Sequence, residues 1–274
     1  MLYDLFSENI EKNKLIKKND RILVLHSLGK DASVLMNLLC QYKMKMDFEL
    51  IPVLFRVPQH VYDNKDEVMM ILEHWKSMGH EINIIDFDYE DTFWERSDKV
   101  DANNLPCSRC RDLRNEQIKI AIDKYKPNSV ACGFNLTDLQ NYLVTMMLIS
   151  NFTFDSSSIN DETTAKRFES LISRFFVDVQ SNFDNLLHWI LPLLTIESTK
   201  LNQYLKEKKV PYIKTECIFK SQRARSVFSD YVNKLHLNYN FNTDYSCLMK
   251  FLQKNLVNKQ ALKVSDNWLN KRSN

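Results

Sequence analysis

The chain has 274 residues, of which 44% are hydrophobic and 26% charged, and its formal net charge is +2 at pH 7. This size and composition indicate one large α/β domain, with or without an extension, and they exclude binding to nucleic acid through a high overall positive charge. The N-terminus lacks the basic start and apolar core of a signal peptide, and the longest apolar stretch, residues 186–196, is too short to cross a bilayer. We therefore expect a cytoplasmic protein without membrane contact, in a reducing compartment.

Apolar runs typical of buried strands alternate with helical patterns along the chain. After a first amphipathic helix over residues 1–20, the predicted strands are 22–26, 50–55, 82–87, 129–132 and 189–191. The helices predicted between them are 32–42, 65–78, 109–125 and 138–149. This alternation predicts an α/β fold with a doubly wound, mostly parallel five-stranded sheet. In such a sheet the ligand lies at the carboxyl ends of the strands, near the point where the strand order reverses.

The second half of the chain departs from this alternation. Residues 151–185 contain a polar loop and one candidate helix, and from residue 198 onward the patterns are helical only. We therefore predict an α/β domain over residues 1–197, with 151–185 as a variable insertion, and a C-terminal helical extension over residues 198–274.

The turn after the first strand has the sequence Ser27-Leu28-Gly29-Lys30-Asp31 and leads directly into a helix. At a helix N-terminus, unpaired backbone N–H groups and the positive end of the helix dipole attract anions. The chain contains only three glycines, so one of them in this turn indicates a special backbone angle or close access to a ligand. An ordinary strand–helix turn is the alternative, but the lysine and aspartate beside Gly29 favour phosphate binding.

Two cysteines form a C-x-x-C pair, Cys107 and Cys110, at the start of a predicted helix. The helix N-terminus and the neighbouring arginines favour the thiolate, which is the form that ligates metals or carries sulfur. Cys217, which follows a probable strand and lies just before a predicted basic helix, is the candidate third member. Cys40 and Cys132 fall in a predicted helix and strand and are expected to be core residues. Reduced structural thiols, a zinc site and a disulfide or persulfide all remain open for the pair.

Two groups of basic residues could contact nucleic acid, although each is also compatible with a solvated helix face, which the sequence alone favours. They comprise Arg109, Arg111, Arg114 and Lys119 in the middle of the chain, and Lys214, Lys220, Arg223 and Arg225 near its end.

A third segment, Gly133-Phe134-Asn135-Leu136-Thr137-Asp138, follows the fourth predicted strand. Taken with the Ser27–Asp31 turn and the Cys107/Cys110 pair, in this order, it resembles the PP-loop (N-type ATP pyrophosphatase) superfamily, and within it the tRNA 2-thiocytidine synthetase group. The resemblance covers residues 18–240 and implies the adenine nucleotide alpha hydrolase-like form of the doubly wound sheet.

The resemblance implies an ATP-dependent tRNA sulfurtransferase, which adenylates the C2 oxygen of a tRNA cytidine and replaces it with sulfur. Asp31 and Asp138 would be the catalytic carboxylates that position Mg²⁺ and the adenylation step. Three cysteines would hold a 4Fe-4S cluster with one iron left open, namely Cys107, Cys110 and Cys217. The residues implied in ATP binding are Ser27, Leu28, Gly29, Lys30, Asp31, Ser33 and Gly133.

The implied partners are tRNA and a sulfur donor, either a cysteine desulfurase or sulfide, with a homodimer left open. Four residues depart from the family pattern: Leu28 replaces a glycine, Ala32 a serine, Phe134 a histidine and Thr137 an aspartate. They keep two alternatives open, an adenylating enzyme for another tRNA base or a small molecule, and a nucleotide- or RNA-binding module without turnover. Asp138 is equally compatible with capping the helix that follows it.

Overall fold

The computed structural model of the chain describes residues 2–85, 107–141, 180–183, 187–221 and 234. In chain order the elements are α1 (Leu2–Asn13), β1 (Arg21–Leu25), α2 (Lys30–Tyr42), β2 (Glu49–Phe55), a short 3₁₀ helix (Gln59–Tyr62), α3 (Lys65–Ser77), β3 (Asn83–Ile85), α4 (Cys107–Tyr125), β4 (Ser129–Ala131), β5 (Gln180–Phe183), β6 (Leu187–Ile190) and α5 (Ser198–Lys208).

The described strands form one sheet with the order β3-β2-β1-β4-β6-β5. All neighbouring pairs are parallel except β5 and β6, which are antiparallel. The predicted doubly wound, mostly parallel sheet is therefore confirmed, with its five predicted strands in place. The additional edge strand, β5, was not predicted because its sequence, Gln-Ser-Asn-Phe, carries a single apolar residue.

The central strand β1 is buried on both faces of the sheet. Leu23 belongs to a core cluster with residues of β2, β3, β4 and β6 and with Ala121 of α4. Ile22 and Val24 point to the opposite face, since side chains alternate along a strand, and they are equally buried. The helices α1, α2 and α5 contact one another. A strand buried on both faces is expected to be apolar throughout, which explains why its sequence signal is strong.

The first helix is shorter than the sequence predicts. It ends at Asn13, and Lys14 has a left-handed backbone with φ of 51°. Asn19 adopts a second left-handed conformation before β1, with φ of 67°. Residues 14–20 therefore form the connection to the sheet, and the prediction of a helix over 1–20 is wrong at its C-terminal end.

The chain divides into two compact units. The first unit comprises Met1–Phe134, Val179–Leu193 and Ser198–Arg223, and it contains the sheet together with α5. The second comprises Asn135–Asp178, Leu194–Glu197 and Ala224–Asn274. The predicted domain boundary after residue 197 remains a prediction. Within the helical extension predicted over residues 198–274, the structure describes residues 198–221 and 234, and the rest lies outside the described residues.

No helix within the described ranges combines the length and the apolar character needed to span a bilayer.

Candidate active site

The turn that follows β1 lies at the switch point of the sheet. From β1 the chain continues through α2 to β2 on one side, whereas β4 lies on the other side of β1. The carboxyl ends of β1 and β4 therefore meet at one edge, where doubly wound folds bind ligands. Gly29 is the N-cap of α2, and no described side chain caps this helix end. The N-terminus of a helix attracts anions through its backbone N–H groups and the positive end of its dipole.

Leu28 adopts a left-handed backbone conformation with φ of 55°. For a residue with a Cβ this conformation costs roughly 1–2 kcal/mol, and it is normally taken by glycine. The Leu28 side chain is fully buried, which offsets that cost by roughly 1.5–3 kcal/mol. Leu28 therefore keeps the backbone shape typical of the glycine it replaces in the family pattern.

Hydrogen bonds from three directions hold the turn. The Tyr62 hydroxyl donates to the carbonyl oxygen of Ser27 at 3.2 Å. The Ile213 N–H donates to the carbonyl oxygen of Leu28 at 2.7 Å. The Leu28 N–H donates to Nδ1 of His26 at 3.2 Å, and the Gly29 N–H lies 3.4 Å from the Ser27 hydroxyl oxygen. The shape of the turn is therefore held by hydrogen bonds within the chain.

Gly133, the first residue of the segment Gly133–Asp138, packs closely against this turn. A Cβ added at Gly133 would lie 2.9 Å from the carbonyl carbon of Asp31, 3.0 Å from its oxygen and 3.1 Å from the nitrogen of Ala32. Such distances are shorter than side chains tolerate against backbone, so only glycine fits without a shift. The close approach places the end of β4 directly on the first turn of α2.

The other residues predicted to bind ATP lie on different sides of α2. The Lys30 ammonium reaches towards α5 and donates to Oδ1 of Asn202 at 3.1 Å. It lines an open cleft of about 340 Å³ together with Lys206 and Tyr212. Ser33 is fully buried, and its hydroxyl has no hydrogen-bond partner among the described residues. The structure thus places Lys30 at the surface and Ser33 inside.

Asp138 forms a reciprocal cap with Asn135 in the second unit. The Asn135 N–H donates to Oδ2 of Asp138 at 3.1 Å, and the Asp138 N–H donates to Oδ1 of Asn135 at 3.2 Å. Residues 136–141 are helical, so this pair is a capping box at the start of that helix. Asn135 is the N-cap of this helix and Asp138 lies three residues later, so the prediction that the helix follows Asp138 is wrong although Asp138 does contribute to the cap. The predicted catalytic role of Asp138 remains a prediction.

The C-x-x-C pair occupies the first turn of α4. Cys110 is buried and packs against Val57 and Leu113, whereas Cys107 is partly exposed. Their spacing of three residues places both on one face of the helix. Val57 follows β2, so the pair lies against the connection between β2 and α3.

Hydrogen bonds and a ring contact hold the segment around Cys217 against the connection between β2 and α3 and against the start of α3. The N–H of Ile218 donates to Nε2 of His60 at 3.4 Å, and the His60 ring packs edge-on against the Phe219 ring. Glu67, in the first turn of α3, accepts a hydrogen bond from the Lys214 N–H at 2.9 Å and another from the Thr215 hydroxyl at 3.2 Å. The Cys217 segment and Cys110 therefore contact neighbouring parts of one loop.

The described residues do not assemble a metal centre. Across those ranges, no group of three or more His, Cys, Asp or Glu side chains is placed to hold a metal ion. None of the five described cysteines forms a disulfide. Cys107, Cys110 and Cys217 supply three thiols, a donor set that suits an iron–sulfur cluster chemically. The structure brings two of them to one helix face and does not show the third completing a ligand set.

Cys40 and Cys132 behave as the sequence predicts for core residues. Burial raises the pKa of the Cys40 thiol to about 12 and that of Cys132 to about 11. Both thiols are therefore protonated at neutral pH, which argues against metal ligation or nucleophilic chemistry at these positions.

Several side chains of the two basic groups already have partners within the protein. Arg111 pairs with Asp112 at 3.3 Å, and Lys220 pairs with Glu216. The Arg114 guanidinium donates to the carbonyl oxygen of Cys110 at 3.3 Å, which places it on the cysteine helix. Arg223 and Arg225 lie outside the described residues.

Sequence reasoning missed the side chains that support the turn and the Cys217 segment. His26 was predicted only as the last residue of a strand, and Tyr62, Glu67 and His60 were not singled out. The one local signal is at His26, a polar residue that closes an apolar run. The others act across 35 to 158 residues of chain, and no spacing rule could have paired them.

The sheet order, the turn after β1 and the close approach of Gly133 define an α/β fold of the adenine nucleotide alpha hydrolase type. A solved structure with this fold is the U34-tRNA thiolase NcsA from Methanococcus maripaludis, determined with its 4Fe-4S cluster. The two chains share 19% sequence identity and superpose with a TM-score of 0.64 over 87% of this chain and 74% of NcsA. At this identity the likeness establishes the fold.

Three curated proteins are similar to this chain over most of its length. The chain is 26% identical over 227 residues to the tRNA(Ile)-lysidine synthase of Thermosipho africanus, covering 82% of this chain. It is 20% identical over 240 residues to the cytoplasmic tRNA 2-thiolation protein 1 of Dictyostelium discoideum, covering 85%. It is 23% identical over 201 residues to the tRNA-cytidine(32) 2-sulfurtransferase of Psychromonas ingrahamii, covering 73%. All three belong to the PP-loop superfamily, so the resemblance predicted from the sequence is confirmed.

The matches span 46%, 61% and 56% of these relatives' lengths, so the chain corresponds to about half of each. No family model matches the chain. The relatives are tRNA-modifying proteins by name, and two of the three are named for thiolation.

Proposed function

We propose that the protein is a cytoplasmic ATP-dependent tRNA sulfurtransferase that converts a cytidine to 2-thiocytidine. The observation that carries the proposal is the contact of Gly133 with the Asp31–Ala32 peptide. It brings Gly133, the first residue of the second motif that the resemblance assigns to ATP, against the turn at the N-terminus of α2, whose N-cap residue is Gly29. The relatives named for tRNA thiolation support the choice of substrate class.

The turn would bind ATP through its backbone. Ser27, Leu28 and Gly29 shape the approach to α2, and the first N–H groups of the helix would contact phosphate oxygens. Lys30 is exposed on a flexible stem, so it can exchange its hydrogen bond with Asn202 for one with a phosphate. Asp31, in the first helical turn, would hold Mg²⁺, and Asp138 is the second carboxylate proposed for this task.

The oxygen at C2 of cytosine is a poor leaving group, so it has to be activated before sulfur can replace it. The C2 oxygen attacks the α-phosphorus of ATP, and pyrophosphate leaves. A sulfur nucleophile then attacks C2, and the bond from C2 to the adenylated oxygen breaks, so that AMP departs with that oxygen. Sulfide or a cysteine desulfurase would supply the sulfur, and the two half-reactions would share one binding site for the base.

We further propose that Cys107, Cys110 and Cys217 hold a 4Fe-4S cluster. The support is their donor chemistry and the loop after β2, which Cys110 and the Cys217 segment both contact. Three thiolates leave one iron without a protein ligand, and that open position would carry the sulfur. Anaerobically purified protein should absorb broadly near about 400 nm and lose this band on Cys107→Ala. Colourless protein with bound zinc would contradict the cluster.

Pyrophosphate release in the presence of tRNA tests the reaction. Wild-type protein, anaerobic and reconstituted with iron and sulfide, should release pyrophosphate from ATP only when tRNA is present. Mass spectrometry of the digested tRNA should then detect 2-thiocytidine. Thiolated uridine instead of cytidine would overturn the choice of base, and absence of pyrophosphate release would overturn the enzyme and leave a module that binds without turnover.

A second candidate is an adenylating enzyme that attaches something other than sulfur to a tRNA base. The relative named as a lysidine synthase favours it. The same mass spectra separate the two, since a lysine adduct and a sulfur-for-oxygen exchange change the nucleoside mass differently. Under this alternative the Cys107→Ala variant retains full product formation, whereas under the sulfurtransferase it makes none.

A further inference from the structure

His26 lies directly beneath the phosphate-binding turn and is almost completely buried, with 1% of its surface exposed. Its backbone N–H continues the sheet by donating to the carbonyl oxygen of Val53 at 2.8 Å. Its ring packs edge-on against the fully buried Trp75, with 5.5 Å between the ring centroids. The imidazole therefore has one fixed position between the end of β1 and α3.

The hydrogen bond to Leu28 determines which nitrogen of the ring carries the proton. Because the Leu28 N–H donates to Nδ1, that nitrogen must present its lone pair. A neutral imidazole then carries its hydrogen on Nε2, which is buried and has no hydrogen-bond partner among the described residues. Burial lowers the pKa of His26 to about 3, so the neutral form persists at physiological pH.

This bond acts on the residue with the unusual backbone. Leu28 has a φ of 55°, and its N–H would otherwise be a buried donor without a partner. The acceptor two residues earlier in the chain gives the geometry of an Asx turn, in which a side-chain acceptor replaces a backbone carbonyl. The left-handed turn is thus fixed from below by His26 and from above by the Ile213 N–H on the Leu28 carbonyl oxygen.

We propose that His26 is a positioning residue for the nucleotide: its Nδ1 holds the Leu28 amide and thereby sets the left-handed turn that aims the start of α2 at the phosphates. The inference rests on the proposed function, in that the turn binds ATP. His26 and Leu28 work as a pair, in which the histidine supplies the acceptor that allows a non-glycine residue to occupy this backbone position.

The competing interpretation is that His26 only fills space beside Trp75. Two variants separate the interpretations. His26→Phe keeps an aromatic ring against Trp75 and removes the acceptor. His26→Asn loses the ring and restores an acceptor, because Oδ1 of asparagine occupies the place of Nδ1. His74→Phe is the matched control, since the His74 ring also contacts Trp75 but no hydrogen bond among the described residues joins His74 to the turn.

Titration of the full-length proteins with Mg-ATP by calorimetry is the test. We expect His26→Phe to bind at least tenfold more weakly than wild type, and His26→Asn and His74→Phe to stay within about threefold. Equal affinity of His26→Phe and wild type would overturn the positioning role. Equally weak binding by His26→Phe and His26→Asn would overturn the acceptor role and favour space filling. A wild type that does not bind Mg-ATP would overturn the proposed function itself, which is a distinct result.

The wild-type ring provides a test that needs no variant, which decides the matter if His26→Phe fails to fold. Nitrogen-15 chemical shifts of the imidazole should show an unprotonated Nδ1 and a protonated Nε2 between about pH 5 and pH 8. A tautomer with the proton on Nδ1, or an imidazolium in this range, would overturn the proposal.

Discussion

Leu28 combines two opposing contributions to stability. Its left-handed backbone is unfavourable for any residue with a Cβ, whereas its buried side chain is favourable by a similar or larger amount. The position therefore reverses the usual order of alanine and glycine. In most places glycine is the more destabilising of the two, because it loses more conformational freedom on folding.

We expect Leu28→Ala to be less stable than Leu28→Gly. Both variants lose the buried side chain, at a cost of roughly 2–5 kcal/mol, but only alanine keeps the left-handed penalty. The difference should be up to about 1 kcal/mol in the free energy of unfolding, measured by urea titration. The same pair of substitutions at Leu35, a buried residue inside α2, is the control and should show the opposite order. An alanine variant more stable than the glycine variant at position 28 would contradict the backbone assignment.

His26 gives stability a specific dependence on pH. The unfolded chain binds a proton at the ordinary histidine pKa of about 6.5, whereas the folded protein resists it until about pH 3. The folded state thus binds fewer protons, and stability decreases as pH falls below about 6.5. The loss reaches about 1.4 kcal/mol for each pH unit.

His26→Asn should remove this contribution while keeping the bond to Leu28. Burial also lowers the pKa of His74 and His80, so wild type and variant are compared at each pH rather than each alone. Between about pH 6.5 and pH 4.5 the wild type should lose about 2 kcal/mol more unfolding free energy than the variant. Urea titrations at these two values measure the difference, and parallel losses would contradict a buried neutral His26.

At the scale of elements, α3 and the 3₁₀ helix before it bind the segment 214–219, which lies far away in the sequence. Glu67 accepts from both the Lys214 N–H and the Thr215 hydroxyl, and His60 holds Ile218 and Phe219. Cys217 lies between these attachments. The chain on both sides of Cys217 is therefore held by residues of the 3₁₀ helix and α3.

Glu67→Ala should loosen the Cys217 segment and leave the sheet intact. We expect the Cys217 thiol to react several times faster with iodoacetamide, since the variant removes both hydrogen bonds to residues 214 and 215. Global stability should fall by about 1 kcal/mol. Asp66→Ala, which removes the neighbouring acidic residue of the same helical turn, is the control and should leave the alkylation rate unchanged. An unchanged rate in Glu67→Ala would show that other contacts place Cys217.

At the scale of the whole molecule, ATP binding should stabilise the folded chain as a unit. A ligand at 100 times its dissociation constant adds about 2.7 kcal/mol, which for a chain of this size raises Tm by about 5–10 °C. Gly133→Ala should reduce that increase by about half, because its Cβ would displace the Asp31–Ala32 peptide and weaken binding at least tenfold.

A variant with a similar loss of stability elsewhere separates binding from folding. Ile10→Val removes one buried methyl group in α1 and should lower Tm while keeping the full ATP-induced increase. Scanning calorimetry with and without Mg-ATP gives both quantities. An undiminished increase in Gly133→Ala would show that the contact with α2 does not shape the ATP site.

Much of the fold could be predicted from the sequence because the central strands carry their own signals. β1 and β2 are buried apolar runs, and the turn after β1 follows from its glycine and its place before a helix. β5 escaped prediction because an edge strand needs little apolar surface. The supports of the turn escaped because Gly133 meets Asp31, and Ile213 meets Leu28, across long stretches of chain with no shared local pattern. The sequence could therefore predict the turn that the candidate site uses, but it could not predict the distant residues that hold this turn in shape.

Three residues that contact the turn from later parts of the chain also determine when the candidate site can form during synthesis. The turn follows β1, which is the first strand to be synthesised. The residues that contact it are synthesised later, in the order Tyr62, Gly133 and Ile213. A nascent chain that ends before residue 213 thus has the turn without the hydrogen bond from the Ile213 N–H. Because long-range contacts form late in folding, we expect nucleotide binding to begin only after residue 213 has been translated. ATP would then stabilise completed chains and leave truncated ones exposed to proteolysis.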